Sequence, residues 1–359
     1  MRLGSAFFPL LLLLPNSDSQ STDCTQSVCR LSEYSLRFFI LGDFGGQPIW
    51  PYVSPAQKIV AHRIAEFGQE FRTHFQIELG DNFYTEGVKN VNDKRFKKTF
   101  VDVYDDTEAM YKPWYILAGN HDHYGNISAQ IAYSKRESRW KYPSLYYTIN
   151  YQLEDGTTVE FIVIDTIVLC GNNRDLQYVD SFWVVLTTES HQPCCPTDHE
   201  ATEKHWQWVE RKLNQSRADY LFVAGHFPVY SICSHGPTTC LVNRLEPLLH
   251  KYNASAYLSG HDHNLQHLSH RKGGSLVHYI VSGASSRSDY STEHEDDVPR
   301  DSLHFYWPKG WNPVSQLGFS EGGFVYADID SERAKFEFYE GDGDLEYEFT
   351  LTPRQRRHT

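Results

Sequence analysis

The chain has 359 residues, enough for a substantial buried core, and a globular composition with 40% hydrophobic, 22% charged and 14% aromatic residues. The formal net charge of −13 argues against a general nucleic-acid binder, which needs a basic face. The 18 histidines would gain charge on acidification, so the sequence favours an acidic working compartment.

The N-terminus is typical of a secretory signal peptide over residues 1–19, since Arg2 precedes the apolar run Ala6–Leu14. That run is too short to span a bilayer, and no other segment reaches transmembrane length. We therefore predict a secreted or lysosomal protein without a membrane span. Residues 20–33 are predicted to form an N-terminal extension and residues 352–359 a frayed tail.

The seven cysteines are expected to form disulfides rather than thiolate metal sites, because a secreted chain meets oxidising conditions. Their odd number leaves at least one thiol unpaired in a monomer. Cys24 and Cys29 are candidates for a local pair. The adjacent Cys194 and Cys195 need separate partners, and Cys233 is one candidate. Three sequons predict glycosylation at Asn126, Asn214 and Asn253.

Apolar, strand-like runs recur along the chain, and each is followed by a glycine and a polar side chain that can bind metal. The runs are Leu36–Leu41, Phe75–Leu79, Trp114–Ala118, Tyr220–Ala224 and Ala254–Leu258. The side chains that follow them are Asp43, Asp81, Asn120, His226, His261 and His263. The glycines are expected to let the backbone turn sharply at these points.

Helical patterns lie between the strand-like runs. Ser54 is a predicted N-cap for a helix from Pro55 to Glu70, and Thr197–Glu200 resembles a capping box before a second helix. Leu241–His250 is a shorter candidate. The alternation predicts an α/β core, with two packed sheets covered by helices in one domain over residues 34–351.

Two further regions depart from this alternation. From Val277 onward the pattern becomes β, with alternating apolar and polar residues over Phe324–Ile329 and Lys335–Thr350. Residues 171–203 interrupt the alternation of strands and helices and are predicted to form a long surface loop.

The polar residues after the strands predict a metal site. Ligands bind outside the carboxyl ends of strands in open α/β sheets, so these segments would deliver their side chains to one place. Carboxylates, an amide and imidazoles suit iron, zinc or manganese. They exceed the needs of one ion, so we expect two ions, as in many phosphatases, with Asp81 between them.

Tyr84 narrows the choice of metal. No histidine stands two residues after Asp43, so the first ion would lack a ligand, and a phenolate from Tyr84, three residues after Asp81, can supply it. Phenolate is a hard anionic donor that favours a trivalent ion, and we therefore predict Fe(III) at this position.

These strings resemble the purple acid phosphatases, in their short animal form, over roughly residues 34–351 without much of 171–203. The matching strings are Gly42–Gly45, Gly80–Tyr84, Gly119–His123, Gly225–Pro228 and Gly260–Asn264. The resemblance implies a four-layer αββα metallophosphoesterase sandwich of two mixed sheets flanked by helices, which some schemes class as α+β.

The resemblance also implies the assignment of ligands. The Fe(III) site would take Asp43, Tyr84 and His263, with Asp81 bridging to the second ion. The divalent site would take Asn120, His226 and His261, and its ion is expected to be Fe(II), with zinc or manganese as alternatives. A disulfide between Cys170 and Cys240 and a glycan at Asn126 are implied in the same way.

The activity implied is that of an acid phosphatase, which cleaves phosphate monoesters by attack of a metal-bound hydroxide. His121 and His235 would contact the phosphate or protonate the leaving oxygen, while His123 and Asp122 have either a direct or a supporting role. The expected substrates are small phosphate esters and phosphoproteins, bound by a monomer. The alternatives are a phosphodiesterase or nucleotide hydrolase on the same metal core, or a secreted iron-binding protein.

Overall fold

A computed structural model of the chain describes residues 22–23, 28–173, 192–193 and 195–354. The predicted signal peptide, the pairing of Cys24 and Cys194, and most of the predicted loop at 171–203 lie outside the described residues. Within the described ranges, no helix is both long enough and apolar enough to cross a membrane.

The secondary structure alternates strands and helices in the first two thirds of the chain and is largely β thereafter. The strands are β1 (Thr22–Asp23), β2 (Cys29–Leu31), β3 (Leu36–Leu41), β4 (Phe75–Glu78), β5 (Trp114–Ile116), β6 (Trp140–Lys141), β7 (Tyr147–Gln152), β8 (Thr158–Val163), β9 (Tyr220–Ala224), β10 (Ala256–Ser259), β11 (Leu265–Lys272), β12 (Ser275–Ser282), β13 (Leu303–Trp307), β14 (Gly323–Ile329), β15 (Ala334–Glu340) and β16 (Leu345–Leu351). The α-helices are α1 (Pro55–Glu70), α2 (Asn120–His123), α3 (Ile127–Tyr133), α4 (Thr166–Cys170), α5 (His199–Gln215) and α6 (Thr239–Lys251). Shorter helical segments cover Phe96–Val101, Glu108–Tyr111, Glu295–Asp297 and Ser315–Leu317.

The strands form two mixed sheets. A nine-stranded sheet has the order β1-β2-β7-β8-β9-β10-β12-β11-β13, and a seven-stranded sheet has the order β16-β15-β14-β3-β4-β5-β6. Strands β3, β4 and β5 are parallel neighbours in the smaller sheet, and β9 and β10 are parallel neighbours in the larger one. Each of these five strands is followed by a loop at its carboxyl end. The five loops therefore leave the sheets at two places, the carboxyl ends of the parallel strands in each sheet.

Three hydrophobic clusters separate four layers. The central cluster lies between the sheets, where Phe38 stacks on Phe75 at 4.6 Å and meets the edge of Phe161 at 5.3 Å. The second lies between α1 and the outer face of the seven-stranded sheet, and the third lies between α5, α6 and the outer face of the nine-stranded sheet. The predicted four-layer αββα arrangement is confirmed.

The predicted helix starts are correct or nearly so. Ser54 caps α1 by accepting a hydrogen bond from the amide of Gln57 at 3.1 Å, and α1 spans Pro55–Glu70 as predicted. The cap of α5 is Asp198 rather than Thr197, because the Asp198 carboxylate accepts the amide of Ala201 at 3.0 Å. The helix begins at His199, so the predicted loop over 171–203 extends too far at its C-terminal end.

Other boundaries differ from the prediction. The antiparallel β region begins at Leu265 rather than Val277, and the predicted strand Lys335–Thr350 is a hairpin of β15 and β16. The hairpin of β7 and β8 was not predicted at all. β7 is rich in polar and aromatic residues and carries no continuous apolar run, although β8 ends in the apolar run Phe161–Val163 and Asp155-Gly156 between the strands is a turn signal.

The disulfides agree only in part with the expectations. Cys170, at the end of α4, is bonded to Cys240, in the first turn of α6, as the resemblance implied. Cys29 is also in a disulfide. Cys195 is an exposed free thiol and Cys233 a buried one, so the expectation that both have disulfide partners was wrong. Cys233 is enclosed in the core, with the hydroxyl of Ser234 at 3.9 Å from its sulfur.

A buried histidine lies between the two sheets. His267 on β11 stacks on Phe349 of β16 with ring centroids 3.6 Å apart. Its ring nitrogens lie 2.9 Å from Nδ1 of His278 and 3.0 Å from the hydroxyl of Tyr347. Burial, together with the charges of His278 and His304, lowers the pKa of His267 to about 2.

His267 is therefore expected to make the fold sensitive to acid. Below pH ~6.5 the unfolded chain binds a proton at this position, whereas the folded chain does not. The free energy of unfolding therefore decreases by about 1.4 kcal/mol for each unit by which the pH is lowered. Lowering the pH from ~7 to ~5 therefore reduces the free energy of unfolding by about 2 kcal/mol through the protonation of this residue in the unfolded chain. His267→Gln should remove that part of the pH dependence in urea unfolding, whereas His62→Gln, whose side chain is 66% exposed, should not. An unchanged slope in His267→Gln would contradict the assignment.

Candidate metal centre

The loops after the parallel strands of both sheets meet at one place. The amide of Asp43, after β3, donates to the carbonyl of Gly80, after β4, at 2.9 Å. The amide of His261, after β10, donates to Oδ2 of Asp43 at 2.8 Å. These bonds connect the carboxyl edge of the seven-stranded sheet to that of the nine-stranded sheet, so both sheets contribute side chains to the same site.

The backbone turns sharply at the polar residues themselves. Asp43, Asp81 and His261 have φ values of 62°, 56° and 70°, a left-handed conformation that costs energy for residues other than glycine. The expectation that the preceding glycines make the turns is therefore wrong for most of the loops. Gly119 serves close packing instead, because a Cβ there would overlap the Asp81 carboxylate.

One group of donor atoms surrounds the hydroxyl of Tyr84. This hydroxyl donates to Oδ1 of Asp43 at 2.8 Å and lies 3.0 Å from Nε2 of His263, while the latter two atoms are 3.6 Å apart. Ligand atoms bound to one ion at about 2.0–2.2 Å lie about 3 Å from each other. The three side chains predicted for the trivalent ion therefore have the spacing of a common ligand set.

A second group of donor atoms surrounds Nε2 of His226. This atom lies 2.8 Å from Oδ1 of Asn120 and 3.5 Å from Oδ1 of Asp81. Donor atoms of Asp81, His226 and His261 all lie within 4.8 Å of one another. The structure thus brings together all the residues predicted for the divalent ion.

The imidazoles of the centre are oriented by acceptors behind them. Nδ1 of His226 bonds to the carbonyl of Leu79 at 2.8 Å, and Nδ1 of His263 bonds to Oε1 of Gln316 at 3.0 Å. Each bond fixes the tautomer with the proton on Nδ1 and leaves Nε2 free to bind a metal. Gln316 was not predicted, because it reaches the site from a loop with no motif of its own.

The buried carboxylates of the centre favour the binding of cations. Asp43 and Asp81 are buried, and the guanidinium of Arg287 lies 3.9 Å from the centre of the Tyr84 ring. Burial, together with the charges of Asp43 and Asp81, raises the pKa of Tyr84 well above its usual value. A phenolate at this position therefore needs a metal ion, and the oxygen and imidazole donors present fit a first-row metal.

A buried carboxylic acid lies beneath the centre. Neither side-chain oxygen of Glu78 has a hydrogen-bond partner among the described residues. Burial, followed by the charges of Asp43 and Asp122, raises the pKa of Glu78 well above its usual value. Burial and the neighbouring carboxylates thus disfavour the ionised form of Glu78. It lies within a strand and has no sequence signal that separates it from a core residue.

The two histidines predicted to contact substrate flank the donor groups. Nδ1 of His121 lies 2.6 Å from the carbonyl of Thr85, and its Nε2 lies 3.9 Å from Oδ2 of Asp81. Nδ1 of His235 lies 2.7 Å from Oδ1 of Asp262, and its ring is 4.0 Å from that of His261. In both residues an acceptor oxygen holds Nδ1 and so fixes the orientation of the ring.

Asp122 and His123 support the site from behind. The Asp122 carboxylate accepts the amides of Gly119 at 2.9 Å and Asn82 at 3.0 Å, and so holds two of the loops in place. Nε2 of His123 is paired with Oδ2 of Asp165 at 2.8 Å. Of the two roles considered for this pair, the contacts favour the supporting one.

Comparison with known proteins agrees with this geometry. Residues 36–265, which include all the donor residues above, match the calcineurin-like phosphoesterase family. The chain belongs to the calcineurin-like phosphoesterase family. This phosphoesterase is also 41% identical to tartrate-resistant acid phosphatase type 5 of Oryctolagus cuniculus, over 90% of its own length and 92% of that protein. The resemblance to purple acid phosphatases is confirmed.

Solved structures agree on the fold. The phosphoesterase superposes with a TM-score of 0.70 on GAP50, described as the anchor in the inner membrane complex of Plasmodium, at 23% identity, covering 90% of this chain and 91% of that one. It superposes with a TM-score of 0.60 on purple acid phosphatase PPD1 from Lupinus luteus seeds, at 15% identity, covering 90% and 56% of the two chains. At these identities the likeness establishes the sandwich fold alone.

Proposed function

We propose that this phosphoesterase is an acid phosphatase that hydrolyses phosphate monoesters with an Fe(III) ion and a divalent ion. Asp43, Tyr84 and His263 would hold Fe(III), and Asn120, His226 and His261 the divalent ion, with Asp81 between them. The observation that carries the proposal is the position of the Tyr84 hydroxyl, 2.8 Å from Asp43 and 3.0 Å from His263. Fe(II) is the expected divalent ion, with zinc or manganese as alternatives.

The residues around the ions have separate tasks in this reaction. When bound, two such ions supply Lewis-acid activation of the ester and of water. In their doubly protonated form, His121 and His235, held at Nδ1 by Thr85 and Asp262, can donate from Nε2 to a phosphate oxygen or to the leaving oxygen. Arg287 stays beside the Tyr84 ring and donates to the carbonyl of Gly46 at 2.7 Å, which fixes the loop after β3.

We also propose a cellular setting for the enzyme. The N-terminal sequence supports secretion or delivery to the lysosome, and the net charge of −13 argues against nucleic acids as substrates. Small phosphate esters and phosphoproteins are the proposed substrates. A monomer is the proposed working form. Asn126 and Asn214 are exposed and Asn253 is half-buried, and all three remain predicted glycosylation sites.

One experiment tests the ferric assignment. The purified enzyme should contain two metal ions, absorb visible light through tyrosinate-to-Fe(III) charge transfer, and cleave an aryl phosphate monoester faster than the matched diester. Tyr84→Phe should abolish the visible band, because it removes the phenolate. Tyr220→Phe, a buried tyrosine at the opposite end of β9, should leave the band unchanged.

The outcomes separate the alternatives. A colourless protein with two bound metals and full activity would contradict the ferric assignment. A diester rate above the monoester rate would favour the phosphodiesterase or nucleotide hydrolase. Tight iron binding without hydrolysis of either ester would favour the iron-binding protein.

A further inference from the structure

A second cluster of metal-binding side chains lies on the outer face of the nine-stranded sheet. It consists of Glu246 and His250 on α6 and His270 on β11. His270 follows His263 by seven residues along an extended strand, so it lies roughly 20 Å from the dinuclear centre. None of the three side chains takes part in the proposed reaction.

The helix places two of these side chains on one face. Glu246 and His250 are separated by four residues, which stacks them one turn apart, and α6 turns both toward the sheet. Glu246 is 2% exposed and His250 is 7% exposed. Neither ring nitrogen of His250 makes a hydrogen bond of good geometry among the described residues, although the backbone of Ser275 lies close to the ring. A buried imidazole with such weak partners gains stability if a metal ion binds it.

The distances around Glu246 match those of a zinc ligand set. Oε1 of Glu246 lies 3.0 Å from Nδ1 of His270 and 3.5 Å from Nε2 of His250. Ligand atoms of tetrahedral zinc, bound at about 2.0–2.2 Å, lie about 3.4 Å apart. We propose that Glu246, His250 and His270 form a structural Zn²⁺ site, separate from the dinuclear centre, with water as the fourth ligand.

The surrounding charges are compatible with such an ion. The ammonium of Lys272 lies 2.9 Å from Oε2 of Glu246, whereas Oε1 has the hydroxyl of Tyr230 at 3.4 Å in addition to the two histidines. Burial lowers the pKa of His250, which favours the neutral form of the ring that binds metals. The side chains of His270 and Lys272 are 28% and 55% exposed, which gives the ion a path from solvent.

The site would fix the C-terminal end of α6. The N-terminal end of this helix is already held by the disulfide between Cys170 and Cys240. The segment just before α6 carries His226, a proposed metal ligand, and His235. A zinc ion joining Glu246 and His250 to β11 would therefore hold the helix at both ends and stabilise the segment that leads to the dinuclear centre.

Zinc binding to the intact, iron-loaded enzyme tests the proposal. After equilibrium dialysis against Zn²⁺, the wild type should carry one more zinc per chain than His270→Asn, whose zinc affinity should be about 100-fold weaker. Zinc should raise the melting temperature of the wild type and not that of His270→Asn. Phosphatase activity without added zinc should be equal in both, because His270 is remote from the catalytic site.

Two further variants complete the design. Lys272→Met keeps all three ligands and should bind zinc at least as tightly as the wild type. His62→Asn, on the exposed face of α1, should behave as the wild type. Equal zinc content and equal thermal shifts in the wild type and His270→Asn would overturn the proposal, as would a wild type that takes up no zinc beyond the dinuclear centre.

Discussion

Replacing Asp81 with asparagine is expected to lower turnover by about 1000-fold and to remove at least one metal ion per chain. The two oxygens of the Asp81 carboxylate face different histidines: Oδ1 lies 3.5 Å from Nε2 of His226, and Oδ2 lies 3.9 Å from Nε2 of His121. Asparagine preserves the volume and one acceptor, but it removes the negative charge that two adjacent cations require.

Elemental analysis and steady-state kinetics on the same preparation would check this result. Asp219→Asn is a matched control, because it makes the same chemical change at the amino end of β9, where Asp219 accepts the amide of Thr158 at 2.9 Å. We expect the control to keep both metals and wild-type activity. Thermal unfolding should show that Asp81→Asn is folded. An Asp81→Asn enzyme with two metals and turnover within about tenfold of wild type would overturn the bridging role.

Local sequence signals correctly predicted the helices and strands whose ends depend on adjacent residues. The side-chain cap at Ser54 and the proline at the first position of α1 identify the helix start from adjacent residues alone, and β9 was predicted with correct bounds from its apolar run. The hairpin of β7 and β8 was missed because its stability comes from pairing with β2 and β9, which a single-segment pattern does not contain.

The donor residues were predictable for a reason of topology. They follow parallel strands directly, and parallel strands place their carboxyl ends at one edge, so order along the chain determines proximity in space. His226 and Asn120 belong to different sheets, yet their side chains are 2.8 Å apart. The sequence pattern identified them without any knowledge of how the two sheets pack.

The residues that tune the donors could not be predicted in this way. Arg287 and Gln316 come from loops late in the chain and act through contacts with Tyr84 and His263, which are set only by the tertiary structure. Glu78 has the sequence environment of a core strand, and its raised pKa follows from burial beside other carboxylates. The roles of these residues depend on their distance from the donor side chains in the folded protein, and the spacing of residues along the chain does not give that distance.

Replacing His121 with alanine is expected to lower turnover by about 100-fold while both metal ions remain bound. His121 is not among the proposed ligands, and its Nδ1 is held by the carbonyl of Thr85 at 2.6 Å, so its free Nε2 is available to substrate. His235→Ala should have a smaller effect in the same direction. His62→Ala, at an exposed position on α1, should match the wild type and serve as the control for removal of an imidazole.

The leaving group of the substrate distinguishes the possible roles of His121. If Nε2 protonates the leaving oxygen, His121→Ala should slow an alkyl phosphate far more than an aryl phosphate, whose phenolate departs without a proton. If Nε2 only binds the phosphate, both esters should slow equally, because each carries the same phosphoryl oxygens. Full turnover of both esters by a fully metallated His121→Ala enzyme would exclude either role and would assign these tasks to another residue of the site.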